Sequence, residues 1–287
     1  MRYPPRQAGF TLIELVMTMT VSAVVVSFVA LFISGPVAGF TDQTRRAGLV
    51  DAADAALSRL KRDVRKALPN TVRLTSAGGV VALELLSSVD GSRYRAQPPG
   101  TTDAILDFAG ADGSFNVIGP FTQVAKPFVS TTHFLSVYNV GVPGADAYEL
   151  ANVITPPGTQ ISIDADAVPG EDRVSLLPAF QFAFGSPTQR AFLVEGPVTY
   201  LCDTGAGTLT RYDGYGIAQD QSTRDSHAEL LGAGASAALM ADSIAGCAFD
   251  YSPGTAERAG LLTAELGVSA QGESISLLSQ IHVDNVP

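Results

Sequence analysis

Two hydrophobic periods divide the chain. Residues 15–41 carry no charged side chain, and the run LVMTMTVSAVVVSFVALFISG within them is apolar on all sides. At about 1.5 Å of rise per residue such a run crosses a hydrocarbon layer about 30 Å thick, so it predicts a membrane-spanning helix. Beyond it, Leu57, Leu60, Val64 and Leu68 recur at offsets of three and four. Arg59, Lys61, Arg62, Asp63, Arg65 and Lys66 fall largely elsewhere, which predicts one apolar stripe on a continuing amphipathic helix. Proline lacks the N–H that an interior turn needs, so Pro36, beside Gly35 and Gly39, predicts a bend and Pro69 the helix end.

After residue 70 the period shortens to two. Strand-like runs are expected at 71–74, 80–86, 104–108, 134–140, 160–163, 173–177 and 180–184, and again at 191–201, 209–212, 248–251, 261–268 and 274–283. Turn material such as Ala77-Gly78-Gly79 and Gln97-Pro98-Pro99-Gly100 separates them. The Ala- and Leu-rich stretch 228–243 predicts a short helix. With no exact repeat and no clean linker, the expectation is an α+β protein with one elaborated, mostly antiparallel head.

Composition narrows the function. The chain has 287 residues, 46% hydrophobic and 16% charged, enough for a substantial core. Twenty-eight acidic residues against 18 Lys and Arg give a formal charge of -10, the wrong sign for neutralising phosphates, so no nucleic-acid partner is expected. Neither a P-loop nor a dinucleotide-binding glycine motif occurs.

The decisive local feature is Glu14. A carboxylate in an apolar span costs about 2.5 to 3.5 kcal/mol at the membrane centre and less near the interface, a cost that a transient secretory signal has no reason to carry. In addition, the small residue Gly9 precedes the apolar stretch, whereas a secretory signal has its cleavage site after it. Arg2 and Arg6 before the span favour a cytoplasmic N-terminus and an exported body.

The segment QAGFTLIELV, residues 7–16, resembles the cleavage and methylation signature of type IV prepilins and type II secretion pseudopilins. The resemblance implies leader removal after Gly9 by a prepilin peptidase, N-methylation of the new terminus Phe10, and a role for Glu14 in subunit assembly. A buried Glu needs a partner, and the Phe10 amine of a neighbouring subunit would supply one. It further implies a leader at 1–9, a transmembrane helix at 10–35, a periplasmic half-helix at 36–69 and a periplasmic head at 70–287. Removing Arg2 and Arg6 leaves 16 basic against 28 acidic residues, an acidic exported body.

LSRLKRDVRKALPN at 57–70, SSVDGSRYRA at 87–96, LTRYDGY at 209–215 and the terminal QIHVDNVP resemble the minor pilin-like biogenesis proteins of mannose-sensitive haemagglutinin pili. The helix portion is also similar to the J-type minor pseudopilins of type II secretion. Either family implies a structural subunit held in the bacterial inner membrane before it enters a filament. Its partners would be major and other minor pilins and an inner-membrane assembly platform, with ATP-driven work done by other proteins. Neither implies a cofactor or a catalytic residue, and no metal site is expected, although calcium is seen in some pseudopilin heads.

Cys202 and Cys247 are an even pair in an exported body, where a disulfide can persist; two separate buried thiols are the alternative. A zinc site would need both cysteines and two of His133, His227 and His282 at irregular spacing. Asp203-Thr204-Gly205 looks like the catalytic segment of aspartic proteases, but a single copy lacks its second carboxylate, and a turn fits the residues. Asp164, Asp166, Glu171 and Asp172 could offer oxygen to calcium, yet their spacing is not that of an EF-hand loop.

Overall fold

The computed structural model describes residues 9–97, 104–254 and 258–285. Among the described residues, helix α1 (Leu12–Arg65) is followed by thirteen strands and one short helix. By internal contacts the chain divides into two units, one ending at Leu49 and one running from Val50 to Pro287.

Among the described residues of the first unit, everything from Leu12 onward is helix. Among its apolar side chains Leu12, Phe28, Leu31, Phe32 and Phe40 are all exposed, and the segment is long and apolar enough to cross a membrane. The helix runs through Pro36 without interruption in its assignment. Thr18, Thr20, Ser27 and Ser34 each turn their hydroxyl back to a carbonyl three or four residues earlier, so these polar groups are satisfied inside the segment.

The second unit begins with the last sixteen residues of α1. Ala53, Ala56, Leu57, Leu60 and Val64 are buried, the stripe that the spacing predicts. The helix stops at Arg65, short of Pro69. The Lys66 and Ala67 amides tighten to i−3 carbonyls, and the Leu68 amide then donates to the Leu86 carbonyl, handing the chain to the sheet.

A ribbon of two long antiparallel strands, β2 (Val80–Tyr94) and β8 (Arg190–Asp203), forms the axis of a ten-stranded sheet. At the beginning of β2 the ribbon is flanked by β1 (Arg73–Ala77) on β2 and β9 (Thr208–Asp213) on β8. At its other end β3 (Asp112–Ile118) pairs with β2 and β5 (Phe134–Val137) with β8. Strands β7 (Glu171–Phe180), β6 (Gln160–Ala165) and β4 (Phe128–Ser130) extend the sheet beyond β3, and β10 (Ser236–Ala241) extends it beyond β9. A cluster including Phe115, Leu135, Ile161, Val174, Phe182 and Leu193 fills the β3–β7 end.

A separate three-stranded meander, β11 (Ile244–Ser252), β12 (Gly260–Ala270) and β13 (Glu273–Val283), closes the chain. Its inner face carries Leu262, Ala264, Leu266, Val268 and Ile281, all buried, while Glu265, Leu278 and His282 point outward. Cys247 on β11 is joined to Cys202 on β8, with 6.5 Å between their Cα atoms. Closing a loop of 45 residues stabilises the fold by about 4 kcal/mol in a chain-entropy account.

This is an α+β fold, a long apolar N-terminal helix followed by an antiparallel head. Several element expectations need correction. Residues 104–108 are not a strand; the strand is β3, whose Asp112 caps its own Ser114 amide in a segment that reads as turn chemistry. Strand β2 continues to Tyr94 through polar residues because β8 pairs with it as far as Arg93 and β3 joins at Arg93 and Tyr94. The stretch 228–243 splits into α2 (His227–Gly232) and β10, parted at Gly234, whose φ of 86° ends helical geometry. The Gln97-Pro98-Pro99-Gly100 turn lies mostly outside the described residues.

Candidate functional site

The chemistry that the sequence singles out sits where α1 begins. Gly9 and Phe10 precede the helix in non-regular backbone, and Phe10 is 80% exposed. A Cβ placed on Gly9 would meet nothing within 4 Å, and the residue has no left-handed φ. Nothing among the described residues therefore demands glycine there. Residues 1–8, with Arg2 and Arg6 and most of the expected leader, lie outside the described residues.

Thr11 is the helix N-cap and Glu14 the third helical residue. The Glu14 amide donates to the Thr11 hydroxyl at 3.3 Å, and that hydroxyl faces Glu14 Oε2 at 3.4 Å. Thr-Leu-Ile-Glu thus has the sequence of a capping box, a local role for Glu14 that the four residues could have revealed. A carboxylate in the first turn gains about 0.3 to 1 kcal/mol from the helix dipole, less than its full cost at a membrane centre. Local capping therefore leaves room for a partner from outside the chain.

The other constellations do not assemble into sites. Asp203 Oδ1 accepts the Gly205 and Ala206 amides, while the Thr204 hydroxyl donates to the Gly79 carbonyl. Asp203-Thr204-Gly205 is the turn between β8 and β9. Of the four carboxylates weighed for calcium, Glu171 is paired with Arg95 and Asp172 with Lys126. Arg95 and Asn116 hold the Glu171 carboxyl below its ordinary range. Both cysteines are spent on each other, His133 bonds Ser130 and His227 bonds Tyr212. Among the described residues no group of three or more His, Cys, Asp or Glu is placed to hold a metal ion.

Two polar networks in the head escaped the sequence pattern. Asp63, expected away from the apolar stripe, is 7% exposed and accepts the Tyr200 hydroxyl at 2.9 Å and Arg211 Nε at 2.6 Å. Arg59 adds a contact at 3.4 Å, and Arg211 also pairs with Asp213. Burial, with Asp63 beside it, pushes the Tyr200 hydroxyl well up. On β2, fully buried Glu84 pairs with Arg73 at 2.7 Å and accepts the Tyr215 hydroxyl. Burial outweighs these partners and raises its pKa. Arg73 also stacks 3.5 Å from the Tyr148 ring centre and donates to the Ala218 and Gln219 carbonyls. Both networks bind distant segments to the ribbon, and no bound molecule is needed to satisfy them.

Residues 4–30 match the family described as the prokaryotic N-terminal methylation motif. The chain is pilin- or pseudopilin-like. It joins a prepilin methylation motif to an apolar helix and an antiparallel sheet, features consistent with a single-pass membrane protein and a non-catalytic subunit. The motif implies processing by a prepilin peptidase-type system. No curated protein and no solved structure matches the chain.

Proposed function

We propose that the protein is a minor pilin, a structural subunit that helps to initiate or cap a type IV pilus of the mannose-sensitive haemagglutinin type. The observation that carries the reading is the methylation motif over residues 4–30, laid across a helix start at which nothing among the described residues crowds Gly9. In this reading a prepilin peptidase cuts between Gly9 and Phe10 and methylates Phe10. The N-terminus faces the cytoplasm, and the head, stapled by Cys202–Cys247, folds in the periplasm.

Glu14 then serves twice. Its carboxylate accepts the hydroxyl of Thr11, the residue that caps the helix, and during assembly it receives the cationic Phe10 amine of a neighbour, setting the axial register between subunits. The other partners would be major and minor pilins and the inner-membrane assembly platform.

Intact mass and N-terminal peptide analysis of the membrane-extracted protein test the reading. Loss of residues 1–9 with one added methyl group is expected; a mature start within or after the apolar segment would overturn it. The likeness of the helix portion to J-type pseudopilins favours a second reading, a minor pseudopilin of a type II secretion pseudopilus. Pull-down of the cross-linked chain separates the two, pilins supporting the first and secretion pseudopilins the second.

A further inference from the structure

Strand β8 is paired along the whole of one edge and only in part along the other. On the first edge β2 runs beside it from Arg190 to Asp203. On the second, β5 covers Ala191 to Val194 and β9 covers Thr199 to Asp203. Among the described residues no strand pairs with Glu195, Gly196, Pro197 or Val198 on that second edge. At about 3.3 Å per residue the resulting notch is roughly 15 Å long.

The sequence shapes the notch. The pairing with β2 skips Glu195, because Ser87 faces Gly196 and Ser88 faces Val194, and Gly196 takes a φ of 141° that favours glycine. Such a bulge re-aims the extra side chain, and that of Glu195 is exposed. Pro197 lies opposite Leu86, whose amide donates to the Thr71 hydroxyl and whose carbonyl accepts the Leu68 amide. Leu86 therefore turns its backbone away from β8, and in an antiparallel pair Pro197 must turn its own away from β2, toward the notch. Having no N–H, Pro197 offers only its carbonyl there.

Around the notch lies a cleft of about 510 Å³, within the range of about 300 to 1,000 Å³ common for small-molecule sites. His133, just before β5, lines one side, and Asp213 and Tyr215, at the end of β9, line the other. Tyr215 is buried and its hydroxyl bonds Thr199 and Glu84, so that wall is fixed before any ligand arrives. No Lys or Arg is among the lining residues. Asp213 is paired with Arg211, which also holds Asp63. Glu195 forms no ion pair among the described residues, unlike Asp63, Glu84, Glu171 and Asp172. Burial lowers the His133 pKa below 6.5 against the pull of Glu195, so at neutral pH the ring brings no positive charge to that carboxylate.

We propose that this cleft binds a guanidinium group. An uncommitted carboxylate beside a proline carbonyl, in a preformed cleft without a cationic side chain, selects a positive ligand rich in N–H. A guanidinium has five donors in a planar fork and no acceptor, and a carboxylate receives two of them in parallel. An ammonium has three donors and holds its water more strongly. A peptide strand fits the notch less well, because Pro197 has no amide to give it. The guanidinium is carried either by an arginine of a partner protein or by a small free guanidine. The site lies wholly within the second unit and does not depend on the filament role.

The test titrates the isotope-labelled full-length chain, in a non-ionic detergent, with N-acetyl-arginine methylamide and follows the amide resonances. Shifts are expected at Gly196, Val198, Gly214 and Gly216, with a dissociation constant in the millimolar range. The citrulline analogue, similar in shape but uncharged, should bind about tenfold more weakly, since a charged hydrogen bond is replaced by a neutral one. Glu195→Gln should cost the arginine probe a similar factor, and Glu195→Lys should abolish its binding. Asp54→Asn, which removes an exposed acid from α1, should cost nothing. Melting temperatures of the variants are measured alongside, so that lost binding is not mistaken for lost fold.

A pentapeptide with a central arginine separates the two sources. Tighter binding than that of the single residue assigns the site to a partner's side chain, and equal binding assigns it to a free guanidine. Equal binding of the citrulline analogue, stronger binding of the lysine analogue, or shifts scattered over the acidic surface of the head would overturn the proposal. So would full affinity in a Glu195→Gln variant that melts with the parent.

Discussion

The two units of the chain solve opposite problems. In the second unit Leu60, Leu83, Tyr200 and Leu266 are essentially inaccessible, and even buried carboxylates find partners within the chain. In the first unit Phe28, Leu31, Phe32 and Phe40 are between 69% and 81% exposed, and no residue of the most apolar window is buried. One region holds itself together; the other is stable only in lipid or against other helices, because that much apolar surface is not left in water. Damage to one should therefore leave the function of the other readable, and each prediction below can break that separation.

The largest effect is expected from Arg211→Ala. It leaves Asp63 buried with the Tyr200 hydroxyl and the 3.4 Å contact to Arg59. Removing one partner of a buried pair costs about 3 to 5 kcal/mol, a large share of a domain's stability. Denaturant unfolding of the protein in detergent should show that loss, while leader removal proceeds normally. Normal head stability would mean that Arg59 alone suffices for Asp63; failed leader removal would mean that the units are coupled.

Asp63 also shows where sequence reading stops. Leu57, Leu60 and Val64 are legible because a helix repeats every 3.6 residues and the stripe lies within one element. Asp63 sits among Arg59, Lys61, Arg62 and Arg65 and reads as one more solvated charge. Only the fold brings Arg211 to it across a separation of 148 residues. The same limit hid the second half of β2, whose Ser-Ser-Val-Asp-Gly-Ser run is strand because β8 bonds it, against its own turn propensity. The start of α1 is the reverse case. Thr11-Leu12-Ile13-Glu14 is a local pattern, and the structure realises it as the cap.

A smaller change in free energy is expected from Glu14→Ala. Loss of the first-turn carboxylate removes about 0.3 to 1 kcal/mol of local helix stability and nothing from the head. If the Phe10 amine of a neighbour pairs with Glu14, the functional loss should far exceed that figure. Cross-linking to other pilins in cells should fall sharply, with leader cleavage and head melting unchanged. Normal cross-linking would confine Glu14 to its local contact with Thr11 at the helix start; altered head melting would again join the two units.

The smallest effect concerns pH and stays within the head. Arg95 and Asn116 hold Glu171 below its ordinary value of 4.5, although burial and nearby Asp166 push the other way. The unfolded chain then binds this proton more readily than the folded one. The stability contributed is present above about pH 4.5 and is lost as pH falls through the lower folded value. Glu84, raised by burial, has the opposite sign: its contribution is present below 4.5 and fades as pH rises through its folded value. Glu171→Gln should thus lower the melting temperature at pH 7 and lower it progressively less as pH falls below 4.5, narrowing the acid-induced drop. An undiminished acid-induced drop in the variant would assign that drop to other carboxylates, with the paired Asp172 the next to substitute. Because Glu171 and its partners Arg95 and Asn116 all lie in the second unit, the narrowing should be the same before and after leader removal.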